Sequence, residues 1–144
     1  MMPQLQVNII TPERIVMAKK ADSVIVPGEC GEMEILPQHA AIFSLINPGQ
    51  LTVTNNNNKS VFAVGIGFLE LRENKLSILV DTALGESDID VEQAKLAIEE
   101  AKDRLAEISP ENVEERFAFE TQLATAQAKI KVYTKTSTGT DKKQ

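Results

Sequence analysis

Short apolar runs separated by turn-forming residues fill residues 1–86 and predict a β-domain. Leu5, Val7 and Ile9 alternate with polar residues, and this period of two marks a half-buried strand. Turn signals recur along the segment, for example at Pro27-Gly28 and in the asparagine run that begins at Asn55. Many short strands with closely spaced turns predict an antiparallel β-sandwich, or flattened barrel, over residues 1–86.

From residue 87 the apolar positions take the period of a helix. Asp90 followed by Gln93 is a capping-box pattern, and Ser109-Pro110 is expected to end one helix and start another. The apolar stripes are Ala94, Ile98, Ala101, Leu105 and Ile108, and then Phe119, Leu123, Ala126, Ile130 and Tyr133. They predict an antiparallel helical hairpin over residues 87–135, followed by a polar, frayed tail at 136–144. The predicted fold class is therefore α+β.

The hairpin is rich in alanine, which limits how firmly it can attach to the β-domain. Apolar burial stabilises by about 25 cal/mol per Å², and alanine offers little area. Detachment at a cost of a few kcal/mol would suit a two-position switch. A permanently docked hairpin is equally compatible with the sequence.

Composition narrows the class of protein. With 42% hydrophobic and 25% charged residues the chain is globular, and its net charge of −6 argues against a nucleic-acid binder. One cysteine excludes an internal disulfide and a cysteine-based zinc site. No window approaches the roughly 18 apolar residues of a transmembrane helix. The N-terminus lacks the features of a signal or transit peptide, so a reducing cytoplasm is expected.

The segment Gly28–Gly49 holds the single histidine, His39, and the single cysteine, Cys30. It is either an active-site loop, with His39 as a base, or two short strands and a corner. Glu32 and Glu34 would share one face of a strand, as a carboxylate pair or as a solvated surface. The structural interpretation is favoured over a small hydrolase, because no second catalytic partner is visible.

The same segment resembles the N-terminal domain of the epsilon subunit of the F-type ATP synthase. The matching pattern is G-x-x-G-E-x-x-I-L-P-x-H-A with a later P-G, at Gly28, Gly31, Glu32, Ile35, Leu36, Pro37, His39, Ala40, Pro48 and Gly49. Residues 67–70 and 79–83 agree as well, so the resemblance covers nearly the whole chain. Glu34 and Gln38 depart from glycines that are common in this stretch.

The resemblance implies a rotor subunit that does no chemistry and carries no catalytic residue, metal or cofactor. Its β-domain would grip the gamma shaft and rest on the proton-driven ring, at the cytoplasmic face of the cell membrane. Its hairpin would extend to the alpha and beta subunits and block ATP hydrolysis. The alternative is a free-standing β-domain that binds a protein partner through the edge formed around Gly28–Gly49.

Specific residues follow from the resemblance. Glu32 matches the family position that faces the ring, and Gly31, Met33 and His39 lie in the same segment, so these four residues form the predicted ring and gamma interface. Loop geometry for Gly31 and a buried core imidazole for His39 are the alternatives. The basic C-terminal end would meet the acidic loops of the catalytic head, with contacts from Lys129, Lys131 and Lys135.

Some members of the family bind ATP through an I/L-D-x-x-R-A motif. Ile89, Asp90 and Ala94 match this motif, but Gln93 replaces its arginine. Loss of the guanidinium removes a bidentate phosphate donor. We therefore expect that this chain does not bind ATP at physiological concentration.

Overall fold

The structure is a computed structural model that describes the backbone of residues 3–142 and the side chains of residues 3–134. A β-domain comes first: β1 (Leu5–Ile10), β2 (Ile15–Ala21), β3 (Ser23–Gly28), β4 (Gly31–Ile35), β5 (Ile42–Ile46), β6 (Gly49–Asn55), β7 (Asn58–Val64), β8 (Gly67–Arg72), β9 (Lys75–Val80) and β10 (Ala83–Gly85). A short 3-10 turn at Glu86–Asp88 leads to α1 (Val91–Glu107) and α2 (Val113–Lys142). The predicted fold class is confirmed.

The strands form one nearly closed sheet in the order β10-β7-β6-β3-β5-β8-β9-β1-β2, with β4 paired to β3. All pairs are antiparallel except β1 with β9, which are parallel. This parallel pair was not predicted, because its strands lie far apart in the chain and no turn signal relates them. An exposed ion pair, Arg14 with Asp88 at 3.9 Å, joins the β1–β2 turn to the 3-10 turn.

Alternate strand residues point into a core that lies wholly within the β-domain. Leu5, Val7 and Ile9 are fully buried, as their alternation predicted. The other buried members are Met17, Ala21, Val24, Val26, Ile35, Ile46, Leu51, Val53, Val64, Leu69, Leu71, Leu76, Ile78, Val80 and Ala83. The β-domain therefore has its own core and does not depend on the hairpin for it.

The turns divide between the two ends of the sandwich. Asn56 and Asn57 have positive φ between β6 and β7, and Glu73 and Asn74 have it between β8 and β9, which fits two-residue hairpin turns. Both turns lie at the end of the sandwich that also holds residues 36–41, here called the His39 end. The turns at 28–31, 47–49, 65–67 and 11–14 lie at the opposite end, the Gly28 end.

The hairpin docks on the sheet through α2, which contacts β6 and β7 and carries α1 on its other side. Ala128 and Val132 are buried against Ala63 and Ile89, and the partly buried Val61, Leu84 and Val91 pack around these four side chains. Gln93 N–H donates to the Asp90 carboxylate at 3.1 Å, which confirms the predicted start of α1.

Two predicted features of the second helix were wrong. It begins at Val113 and not at Pro110, because Ser109 to Asn112 form a turn and Asn112 accepts the first helical hydrogen bond, from Arg116 N–H at 3.0 Å. It is also buried on a second face, through Val132, which the single predicted stripe missed. Its backbone is helical to Lys142, past the predicted end at 135, and the fraying of the tail stays a prediction.

Asp81 lies on the loop between β9 and β10, where the charge of Lys129 on α2 acts on it. A Cβ atom added to Gly65 would overlap with the Asp81 carboxylate, so this glycine leaves the space that the side chain occupies. Although part of Asp81 is exposed, burial raises the pKa of its carboxyl. Hydrogen bonds from the backbone N–H groups of Thr82 and Asp81 and the positive charge of Lys129 on α2 oppose that rise in pKa.

We predict that Gly67→Ala destabilises the β-domain by about 2 to 3 kcal/mol, because the new Cβ would overlap the backbone of Leu79 and Val80 on β9. Neither strand can shift without losing ladder hydrogen bonds. Denaturant unfolding measures the change. Gly85→Ala is the matched control, since its Cβ would meet nothing closer than a ring carbon of Phe62 at 3.9 Å. Equal stability of the two variants would contradict the prediction.

The pKa of Asp81 should report on the position of the hairpin, because Lys129 on α2 lowers this pKa while the hairpin is docked. We expect Lys129→Gln to raise the pKa of Asp81 further, because a nearby positive charge is lost, and Lys131→Gln to leave it unchanged. Carbon-13 NMR titration of the carboxyl measures this. Because the folded-state pKa is raised, Asp81→Asn should gain stability relative to the wild type as the pH rises through that pKa. An Asp81 pKa that does not respond to Lys129→Gln would contradict the coupling of these two charges.

Candidate functional site

An exposed apolar patch covers the outer face of β5 and β8. Phe43, Leu45 and Phe68 are 63%, 49% and 36% exposed, and the rings of Phe43 and Phe68 stack with centroids 5.4 Å apart. Leu45 lies directly opposite Phe68 in the ladder. Here these three residues are called the β5–β8 patch. Exposed side chains of this size in contact with one another mark an interaction surface more often than a scattered apolar residue does.

Alternation along β5 explains why the patch exists. Ile42 and Ile46 take the inward positions of this strand together with Ser44, whereas Phe43 and Leu45 point outward. Ser44 lies opposite Leu69 and Ile42 opposite Leu71, both buried, which fixes this orientation. This strand was predicted from the sequence, but the patch was not. The sequence does carry a signal for the patch. Large apolar residues occupy both the inward and the outward positions of β5, although only one face of this strand is buried.

A cleft of about 380 Å³ extends the apolar surface to the Gly28 end of the sandwich. Phe68 belongs both to the β5–β8 patch and to the wall of this cleft. The other lining residues are Ile10, Thr11, Pro12, Ile66, Gly67, Leu79, Val80 and Asp81. The shape and composition fit an apolar side chain from a protein partner better than a polar substrate.

The four residues of the predicted ring and gamma interface do not form one site. Gly31, with φ of 117°, and the exposed Glu32 lie at the Gly28 end, at the start of β4. Met33 is half-buried and packs against the core. His39 lies at the opposite end, beyond a strand of five residues that spans about 16 Å. The interface itself stays a prediction, and its residues would have to contact different parts of a partner.

His39 is exposed, so the alternative of a buried core imidazole was wrong. Its Nδ1 lies 2.7 Å from the carbonyl oxygen of Ala40, its hydrogen-bond partner in the structure. Gln38 has φ of 70°, a conformation that glycine adopts more easily. Asn74 Oδ1 accepts a hydrogen bond from Gln38 N–H at 2.6 Å and holds this loop against the β8–β9 turn.

The residues of the nucleotide motif have structural roles in the docked hairpin. Asp90 caps α1, Ile89 is buried against the sheet and Ala94 is buried in the hairpin, whereas Gln93 is exposed. That the chain does not bind ATP stays a prediction.

The three lysines of the predicted head contact differ in their surroundings. Lys129 is half-buried and acts on Asp81, and Lys131 is exposed. The side chain of Lys135 lies outside the described residues. Lys129 is therefore the one of the first two whose surroundings would change if the hairpin left the sheet.

Neither a membrane-spanning helix nor a metal-binding cluster occurs in the part of the chain that the structure describes. Between residues 3 and 142, no helix is both long and apolar enough to cross a membrane. Among the side chains of residues 3–134, no group of three or more His, Cys, Asp or Glu residues is arranged to hold a metal ion.

Comparison with known proteins assigns both parts of the chain. Residues 4–86 match the family model of the ATP synthase delta/epsilon chain β-sandwich domain, and residues 87–134 match that of its long α-helix domain. Among solved structures, the fold is similar to a chain of the Euglena gracilis mitochondrial ATP synthase (OSCP/F1/c-ring), with TM-score 0.74, 21% identity and coverage of 89% of this chain and 80% of that one. A chain of the Tetrahymena thermophila mitochondrial ATP synthase central stalk and ring has TM-score 0.58, 14% identity and coverage of 92% and 99%.

Bacterial relatives are more similar in sequence. An ATP synthase epsilon chain of Anaeromyxobacter sp. (strain Fw109-5) is 37% identical over 128 residues, which cover 89% of this chain and 96% of the relative. Another, from Carboxydothermus hydrogenoformans, is 37% identical over 110 residues, covering 76% and 82%. With both domains matched in order and the relatives covered over most of their length, the chain belongs to the delta/epsilon chain family of ATP synthase, as an epsilon chain.

Proposed function

We propose that this chain is a non-catalytic rotor subunit of ATP synthase, which joins the ion-driven ring to the gamma shaft. Family membership supports the assembly, and the β5–β8 patch is the observation that carries the role. A subunit that transmits torque needs a protein contact that resists sliding, and a stacked aromatic pair with an adjoining apolar cleft offers such an anchor.

The two ends of the sandwich fit two different partners. The Gly28 end presents the exposed Glu32 on a tight turn, which suits the polar loops of the ring. His39, at the other end, precedes the strand that carries Phe43, so His39 and the β5–β8 patch fit one continuous contact with the gamma shaft. The subunit would then lie peripherally at the cytoplasmic face of the cell membrane.

Catalysis by this chain alone has little support. His39 is held by a backbone carbonyl, and Glu32 lies at the other end of the sandwich. Geometry for a nucleophile, base and orienting acid therefore does not converge around His39. We propose that the chemistry of ATP takes place on other subunits.

The hairpin is the proposed regulatory element. Its buried contact with the sheet is small, and Lys129 is partly covered while the hairpin is docked. Contact of Lys129, Lys131 and Lys135 with acidic loops of the alpha and beta subunits would require undocking. Extension of the hairpin into the head would then block ATP hydrolysis.

The β5–β8 patch predicts a specific loss of binding. We expect Phe43→Ser to bind the purified catalytic head with its gamma shaft about 10- to 100-fold more weakly than the wild type, because the stacked anchor is removed. Surface plasmon resonance measures the affinity. Leu96→Ser is the matched control, because Leu96 is 62% exposed on α1, outside the patch. Wild-type affinity for Phe43→Ser would assign the shaft contact to another surface.

The hairpin predicts a difference between the full chain and a truncation that ends at Glu86, which keeps the whole buried core of the β-domain. We expect both to bind the head with its shaft, but only the full chain to slow ATP hydrolysis. Ala63→Asp should inhibit more strongly than the wild type, because a carboxylate buried on the sheet side of the contact disfavours docking and leaves α2 unchanged, whereas Asn58→Asp, at an exposed position of the same strand, should inhibit as the wild type does.

The outcomes of this hydrolysis assay separate the two parts of the proposal. Binding of both proteins without inhibition by either would remove the regulatory role and leave the coupling role. Failure of both to bind would overturn the rotor assignment and favour the free-standing binding module.

A further inference from the structure

The face of α2 that docks on the sheet continues beyond the contact. Val113, Phe117, Ala128 and Val132 are spaced so that, at about 100° per residue, they fall within roughly 100° of one another around the helix. Ala128 and Val132 are buried against the sheet, whereas Val113 and Phe117 are 70% and 58% exposed. This side of the helix therefore carries buried apolar side chains near its contact with the sheet and exposed ones in its first turns.

The length of α2 relative to this contact explains the uncovered end. A helix of 30 residues is about 45 Å long, whereas its buried contact with the sheet is confined to Ala128 and Val132, about 6 Å apart along the helix. Because α2 contacts the sheet near Ala128 and Val132, its first turns project past it, together with the turn that joins α1 to α2. This projecting part, residues 109–120, is here called the hairpin tip.

Charge on the hairpin tip indicates what kind of surface would cover it. Glu115 pairs with Arg104 at 3.6 Å and Glu120 with Arg116 at 3.7 Å. Glu111 and Glu114 flank the exposed Val113 and lie outside those pairs. An apolar anchor with an acidic border is complementary to an apolar pocket bordered by lysine or arginine.

We infer that the hairpin tip is a second docking surface, on which Val113 and Phe117 insert into an apolar pocket with a basic border on the gamma shaft. This inference rests on the proposed rotor function. A contact made while the hairpin is docked must be with a protein that turns together with this chain, since a contact with the stationary head would break on every turn. The tip would thus hold the docked hairpin against the rotor.

The test uses the full chain and the purified head with its gamma shaft. We expect Phe117→Ser to dissociate faster and to bind about tenfold more weakly than the wild type. Glu114→Lys should slow association, most clearly at low salt. Leu96→Ser and Glu99→Lys are the matched controls, with the same changes on exposed positions of α1. Circular dichroism confirms that each variant keeps its helices.

Each outcome of this test either supports or overturns the inference about the hairpin tip. Weaker binding by Phe117→Ser with unchanged Leu96→Ser supports the inference, whereas wild-type affinity of Phe117→Ser overturns it and leaves the rotor function standing. A wild type that does not bind at all overturns both. The inference also fails if the same loss appears with a head that lacks its shaft, or if sedimentation shows that the chain self-associates through Phe117.

Discussion

The arrangement of the two domains depends on one small contact, in which Ala128 and Val132 of α2 lie on Ala63 and Ile89. Burial of a valine or isoleucine stabilises by about 1.5 to 3 kcal/mol, and an alanine by less, so burial favours docking by several kcal/mol before the lost conformational freedom of the hairpin is subtracted. A net difference of a few kcal/mol would leave an alternative position populated at the level of roughly 0.1 to 10%. A larger core here would lock the hairpin, and a smaller one would not hold it. The β-domain is unaffected by the position of the hairpin, because its core is complete without α2.

Strand β5 departs from the usual pattern of a strand with one solvated face. A strand with one solvated face normally alternates apolar and polar residues, but here Ser44 takes an inward position between two outward apolar residues, Phe43 and Leu45. Exposing a stacked aromatic pair contributes less to the stability of the chain than burying it would. Such an arrangement is explained if the patch is covered in an assembly, where its burial contributes to binding instead.

Local chemistry was predictable from the sequence, and relations between distant segments were not. The turn at Asn56 and Asn57 and the helix start at Asp90 follow from single residues whose backbone preferences are strong. The parallel pairing of β1 with β9 and the separation of Glu32 from His39 depend on how strands are ordered in the sheet, which no local pattern encodes. Val132 was missed for a related reason. The predicted stripe of α2 is the one that faces α1. Only the tertiary contact with the sheet shows that this helix has a second covered face.

The face of α2 that carries Ala128 and Val132 links docking of the hairpin to its regulatory role. While the hairpin is docked, α2 is covered by α1 on one side and by the sheet on the other, and undocking uncovers Ala128 and Val132 beside the already exposed Phe117. The released helix then exposes apolar side chains at two places along its length, Val113 with Phe117 and Ala128 with Val132, next to Lys129, which was partly covered. A free helix of this kind is unfavourable in water, so undocking requires a surface that accepts the face. The extended position is therefore stable only when the partner is present, and the energy that holds it must come from the same side chains that hold the docked one.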